Sequence, residues 1–340
     1  MTNRRSIVPF ELAGDISNRS QNIRRMTPAA SEFHATTVRH ETFERGLDAL
    51  KATHAMSGLE GVGMIIEGEP GVGKTTLLNK YVFDTYSKPE YRPTDIVTPL
   101  PILMMRIPGR PTIPRVIEKF LLVSNHVKVS ARKTETLETR LHKLITHQGV
   151  EMIILDEYQH LLRTDKYTRD TLNFLKVLID DYKLSIVLSG LPYGLSVLQD
   201  HDELRERVSF EHIILKPFDI TTNANAADYA RYIIGLETKL SKVGVVCCPL
   251  SNEDMLQRLL LATQGKPRHI NRLLMRLLID CGERNEITMH DFEKIYARMP
   301  FGVHLGSFNP FSSGTSLDKV QRRQKEYDEA RINISRKNKK

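Results

Sequence analysis

The run Gly68-Glu69-Pro70-Gly71-Val72-Gly73-Lys74-Thr75 constrains the fold of this chain more than any other stretch. Its spacing is G-x-x-x-x-G-K-[ST], a loop that cradles phosphates when a strand precedes it and a helix follows. Residues 62–67 read as a short buried strand and residues 76–82 as the opening of a helix, so both flanks are right. A chance match in a glycine-rich turn would not carry them. Gly68, Gly71 and Gly73 can take backbone angles closed to other residues, which turns successive amide N–H groups inward beside a positive helix end. Lys74 supplies a point charge for the β- and γ-phosphates of ATP, and Thr75 offers a hydroxyl to Mg²⁺. Glu69, Pro70, Val72 and Thr76 complete the expected nucleotide-binding loop.

The elements around the loop predict an α/β fold. Apolar runs at 62–67, 101–106, 151–155, 184–189 and 212–215 read as strands, and amphipathic stretches between them read as helices. That alternation predicts a five-stranded parallel sheet with helices on both faces. One helix is expected at about 35–56, ahead of the first strand. From about residue 217 the pattern becomes helical throughout, with no convincing strand. The expected organisation is an N-terminal extension and linker helix over 1–55, a nucleotide-binding core over 56–217, a small helical lid over 218–300, and a linker with a basic tail over 301–340. Residues 319–340 hold nine basic and three acidic side chains, which suits a frayed helix or a solvated tail.

The third strand runs straight into Asp156-Glu157. Asp156, at the strand's carboxyl end, is placed to hold Mg²⁺ with Thr75, and Glu157 to orient or deprotonate an attacking water. Two incidental acids at a turn are the alternative; their pairing with the phosphate loop favours the catalytic reading. Ser189 ends the fourth strand, as a γ-phosphate sensor or as a capping serine. Arg268, in Gly265-Lys266-Pro267-Arg268, opens a helix of the second domain. It reads as a nucleotide sensor or as an ordinary basic residue, and helix-dipole logic disfavours a cation there without a function.

The net charge of +8 suits a polyanionic partner or simply a solvated surface. The 3 cysteines form no C-x-x-C pair, so neither a disulfide framework nor a zinc site is expected, which fits a cytoplasmic setting. No apolar run is long enough to span a bilayer.

Taken together these residues resemble the AAA+ ATPase superfamily over about 35–299, and within it the TnsC/TniB regulators of DNA transposition, including those of CRISPR-associated transposons. The carriers are the loop 68–76, the segment 149–161 with Tyr158-Gln159-His160 after Asp156-Glu157, and the fourth strand with Ser189-Gly190-Leu191-Pro192. The resemblance implies a bacterial ATPase that assembles on duplex DNA as a hexamer, heptamer or helical filament. It would link a TniQ-like target selector to a transposase, with hydrolysis driving disassembly. An arginine finger would come from Arg207 rather than Arg205. DNA would be gripped by its backbone, irrespective of sequence, through Arg110, Arg115, Lys128, Ser130 and Arg132. Aromatic content of 7% without Trp agrees with phosphate contact and argues against base stacking. Two other readings stay open: a nucleotide-switched scaffold or ExeA-like ATPase without a DNA role, and a replication-initiator or loader ATPase.

Overall fold

The computed structural model describes residues 27–91, 99–109, 111–124, 136–161, 166–192, 198 and 201–337. The chain divides into two compact units. One holds residues 42–216; the other joins residues 27–41 to 217–337.

The first unit is built on parallel strands β1 (Gly63–Gly68), β2 (Ile102–Arg106), β3 (Met152–Asp156), β4 (Ser185–Gly190) and β5 (Glu211–Leu215), in the order β2-β3-β4-β1-β5. Each strand's alternating residues sort to opposite faces. Met64, Ile66, Ile102, Met152, Ile154, Val187 and Ile213 pack with Leu47 and Leu50 of α2 (Glu41–Ala55) and Leu77 and Leu78 of α3 (Lys74–Tyr86). Ile65, Leu103, Ile153, Leu155, Ile186 and Leu188 pack on the other face. Their partners lie on α4 (Ile113–Val123), α5 (Leu137–Gln148) and α6 (Lys166–Tyr182). Burial on both faces explains why these strands read as continuous apolar runs. A short helix, α7 (Asp202–Arg207), leads into β5. The registers place Asp156 beside Ser189 and beside Arg106, which brings the strand ends carrying polar residues to one edge.

The second unit contains α8 (Asn223–Lys242), α9 (Glu253–Thr263), α10 (Pro267–Cys281), α11 (Met289–Tyr296) and α12 (Leu317–Lys337). It departs from expectation in four places. First, a two-stranded parallel sheet, β6 (Val246–Cys247) with β7 (Glu286–Ile287), lies among helices expected to stand alone. Two residues are too few to show a period of two.

Second, the helix expected at 35–56 begins only at Glu41, and a separate helix α1 (Pro28–Ala35) precedes it. Thr27 caps α1 by accepting from the Ala30 N–H, with Pro28 in its first turn. Third, the strap from α1 to Glu41 belongs to the helical unit. Val38 fits against Gly235 of α8, where an added Cβ would lie 2.5 Å from Val38 Cγ1. The Lys239 ammonium donates to the Thr36 carbonyl at 2.6 Å and lies 3.9 Å from the centre of the Phe33 ring.

Fourth, residues 301–316, expected as linker, are packed. Phe311 is fully buried against Phe292 and Tyr296. Arg258 donates to the Pro310 carbonyl and to the Thr315 carbonyl at 2.9 Å. The basic tail continues as α12, anchored by buried Val320. Composition concealed both because few apolar side chains, among them Leu305, Phe311 and Val320, do the packing.

Candidate active site

The loop after β1 has the backbone its glycines predict. Gly71 and Gly73 lie at φ 94° and φ 108°, a region that favours glycine. A Cβ at Gly68 would sit 2.4 Å from the Leu215 carbonyl oxygen, so β1 and β5 approach there only without one. Gly73 is the N-cap of α3 and provides no side-chain cap, which leaves the first-turn amides directed out of the helix toward the loop. The Lys74 ammonium donates back to the Gly68 carbonyl at 2.5 Å and the Glu69 carbonyl at 3.1 Å. This is the cradle an anion with several oxygens requires.

Asp156 joins the loop to the sheet. It is 3% exposed and accepts from three donors: Thr75 Oγ1 at 3.1 Å, Ser189 Oγ at 2.9 Å and its neighbour's backbone, the Glu157 N–H, at 3.0 Å. Thr75 opens α3 and Ser189 closes β4, so one carboxylate ties a helix and two strands together. A buried carboxylate satisfied this way keeps its orientation. Thr75 and Asp156 offer two hard oxygen donors. Among the described residues no group of three or more His, Cys, Asp or Glu side chains is placed to hold a metal. Two such donors suit Mg²⁺, which takes one or two protein oxygens and completes its shell with phosphate and water.

Glu157 follows in a left-handed conformation at φ 62°, rare for a residue with a side chain. Its carbonyl accepts from the His160 N–H at 3.0 Å, opening the short 3-10 turn Tyr158–Leu161. Gln159 donates from Nε2 to Glu157 Oε2 and accepts at Oε1 from the Leu191 N–H at 3.2 Å. Tyr158 is buried and donates to Glu67 Oε1 at 2.6 Å. Burial, and then the facing Glu67, push its phenol well above the ordinary tyrosine range. The other Glu67 oxygen faces His212 Nε2 at 3.2 Å. Tyr158, Gln159, Glu67 and His212 were not marked as site residues from the sequence. The one available signal for Glu67 was a carboxylate inside an apolar strand.

Arg207 lies at the end of α7 with its guanidinium on Asp180 of α6. Arg205 pairs with Asp202 of its own helix at 2.6 Å and is more exposed. Arg268 is exposed in the first turn of α10, in the helical unit. Arg115 lies in the first turn of α4, where it lines an open groove of about 540 Å³ with Pro108, Lys119, Leu122 and Arg140. Arg110, Lys128, Ser130 and Arg132 lie outside the described residues.

A parallel sheet in the order β2-β3-β4-β1-β5, a phosphate loop leaving β1 and an Asp-Glu pair leaving β3 define the AAA+ class of nucleotide-binding fold. Solved structures agree at the level of fold. Cdc6p of Pyrobaculum aerophilum matches at TM-score 0.53 and 17% identity, over 78% of this chain and 69% of that one. The ORC2 protein of Aeropyrum pernix, solved as ADPNP–ADP complexes, matches at 0.51 and 15%, over 75% of this chain and 66% of that one. A Walker-type ATPase of Pyrococcus abyssi matches at 0.50 and 15%, over 86% and 80%. The chain thus spans just under two thirds of the length of the ORC2 structure it matches. No curated protein matches it by sequence. The model of the bacterial TniB protein family matches residues 32–219, more than half of the chain. The chain belongs to the TniB family of bacterial proteins. Among the described residues no helix is long and apolar enough to cross a membrane.

Proposed function

We propose that this TniB-family chain is an ATP-gated regulator that assembles on duplex DNA and links a TniQ-like target selector to a transposase, with hydrolysis releasing the assembly. The observation that carries this reading is Asp156 bonded at once to Thr75 of the phosphate loop and Ser189 of β4, with Glu157 next in line. The loop 68–76 holds the triphosphate through its amides and Lys74. Thr75 and Asp156 hold Mg²⁺, which neutralises charge on the phosphates when bound. Glu157 accepts the proton of the attacking water. Ser189 acts through Asp156. Arg268 senses the nucleotide. Arg207 of a neighbouring copy reaches the γ-phosphate, a task suited to a guanidinium because it stays charged and bonds bidentately. Arg115, with Arg110, Lys128, Ser130 and Arg132, contacts the DNA backbone.

The test is electron microscopy and filter binding with linear duplex DNA and a slowly hydrolysed ATP analogue. Rings or filaments should form with the analogue and not without nucleotide. Binding should weaken steeply with salt, and Arg115→Ala should reduce the slope of log K against log salt by about one. Glu157→Gln should give assemblies on ATP that outlast those of the unaltered chain. DNA-free protein at low salt with the analogue present would favour a scaffold without a DNA role.

A further inference from the structure

Glu157 needs its carboxylate aimed, and its own backbone does not do this. The turn fixes the Cα in the left-handed region, but two side-chain torsions and the carboxylate plane are still free to rotate. The Gln159 amide supplies what is missing. The Leu191 N–H can only donate, so the Gln159 atom facing it at 3.2 Å must be the carbonyl oxygen Oε1. That settles the amide's orientation and turns Nε2, a donor, onto Glu157 Oε2. The bridge therefore runs from the residue after β4, through one side chain, to the residue after β3. It takes Oε2 and leaves Oε1 for the water proton.

The surroundings are shaped around this bridge. A Cβ at Gly190 would lie 2.5 Å from Gln159 Oε1 and 2.5 Å from Tyr158 Cδ1, so Gly190 leaves room for both side chains to cross the end of β4. Tyr158, between Glu157 and Gln159, is pinned in the core through Glu67 at 2.6 Å. Two residues before Leu191, Ser189 donates to Asp156. The end of β4 therefore touches both acids of the pair, Asp156 through Ser189 and Glu157 through Gln159.

We propose that Gln159 is the positioning residue of the hydrolytic site, clamping the Glu157 carboxylate to the Leu191 amide at the end of β4. This rests on the reading of Glu157 as the group that accepts the water proton. A displacement of β4 moves Leu191 and, through Gln159, the carboxylate, so hydrolysis depends on the position of β4.

The experiment measures kcat and KM for ATP on the full chain with duplex DNA, and the Kd of a fluorescent non-hydrolysable ATP analogue. Gln159→Met keeps the shape and loses both hydrogen bonds. It should lower kcat about 10- to 100-fold, the usual cost of losing a group that orients a catalytic side chain, with the analogue Kd changed less than twofold. Gly190→Ala should do the same by pushing Gln159 aside. Gln159→Glu retains an acceptor for the Leu191 N–H and replaces the donor with a second carboxylate. Its kcat should fall as far. Full activity of Gln159→Glu at pH 8 overturns the clamp, since a purely structural role needs only the bond to Leu191. If Glu157→Gln is inactive while Gln159→Met keeps its kcat, the clamp alone is wrong. If Glu157→Gln hydrolyses ATP normally, the reading of Glu157 falls and the clamp falls with it.

Discussion

Arg207 donates from Nε to Asp180 Oδ1 at 2.6 Å, joining the end of α7 to α6. Its Nη1 also donates to the Glu203 carbonyl at 2.9 Å. The Asp180 hydrogen bond, ahead of other causes, holds the guanidinium pKa above its usual value. An arginine that serves a neighbouring copy has to leave Asp180 first.

Asp180→Asn should therefore ease assembly. The pair is about one third exposed on each side, so its strength is on the order of 1 kcal/mol at most, or about fivefold in an equilibrium. ATPase activity measured against protein concentration should reach half-maximum at up to about fivefold lower concentration. Arg207→Ala should abolish the concentration-dependent part, and Arg205→Ala should not. An Asp180→Asn curve lying on that of the unaltered chain would dismiss the latch.

Ser189→Ala takes one donor from a buried carboxylate. Asp156 keeps Thr75 and the Glu157 amide but loses a bond at 2.9 Å. The loss should cost about 1–3 kcal/mol of stability without nucleotide, read by urea unfolding. Ser189→Thr, which retains the hydroxyl, should lose less if the added methyl is accommodated. Loss of kcat with unchanged unfolding would instead mean that Ser189 touches the phosphates itself.

Lys239 should add stability to the helical unit as the pH rises from about 8 to about 10, against the opposite contribution of the buried Cys281 thiol, whose pKa burial raises. Burial lowers the pKa of Lys239 from 10.5 to about 8. Below pH 8 both folded and unfolded chains hold the proton, and the full cost of the buried ammonium applies. Between 8 and 10 the folded chain has released it and the unfolded chain has not, so stability rises with pH. Above 10 the unfolded tyrosines ionise while burial keeps Tyr229 and Tyr232 neutral, and the trend reverses. Lys239→Met should flatten the rise in a thermal-melt series. A rise that survives the substitution would assign it to another group.

Phe311→Ala should destabilise the helical unit by about 3–5 kcal/mol, as expected for a truncated buried aromatic. Its ring lies 5.1 Å from that of Phe292 and 5.5 Å from that of Tyr296, centre to centre. Removing residues 301–340 should unfold the unit outright. A shortened chain with an unchanged melting temperature would return this stretch to the status of a linker.

The glycine loop, the Asp-Glu pair and the parallel strands were legible along the chain because each depends on neighbours in sequence. Positive φ at Gly71 and Gly73 is a local requirement, and a strand buried on both faces has to be apolar at every position. Element boundaries were less legible at the strap of residues 36–40, whose place on α8 depends on Gly235 and Lys239, two hundred residues away.

By itself the sequence determined the fold class, the phosphate cradle and the carboxylates beside it, since these follow from spacing, glycine freedom and local periodicity. Only the tertiary structure decided that Ser189 meets Asp156, that Gln159 meets Glu157, that Arg207 meets Asp180 and that Phe311 enters a core. Those pairings arise from sheet order and helix packing. Residues separated by tens of positions become neighbours only once apolar burial has brought β4 beside β3 and α7 against α6, and no short-range pattern records which polar groups will then face each other.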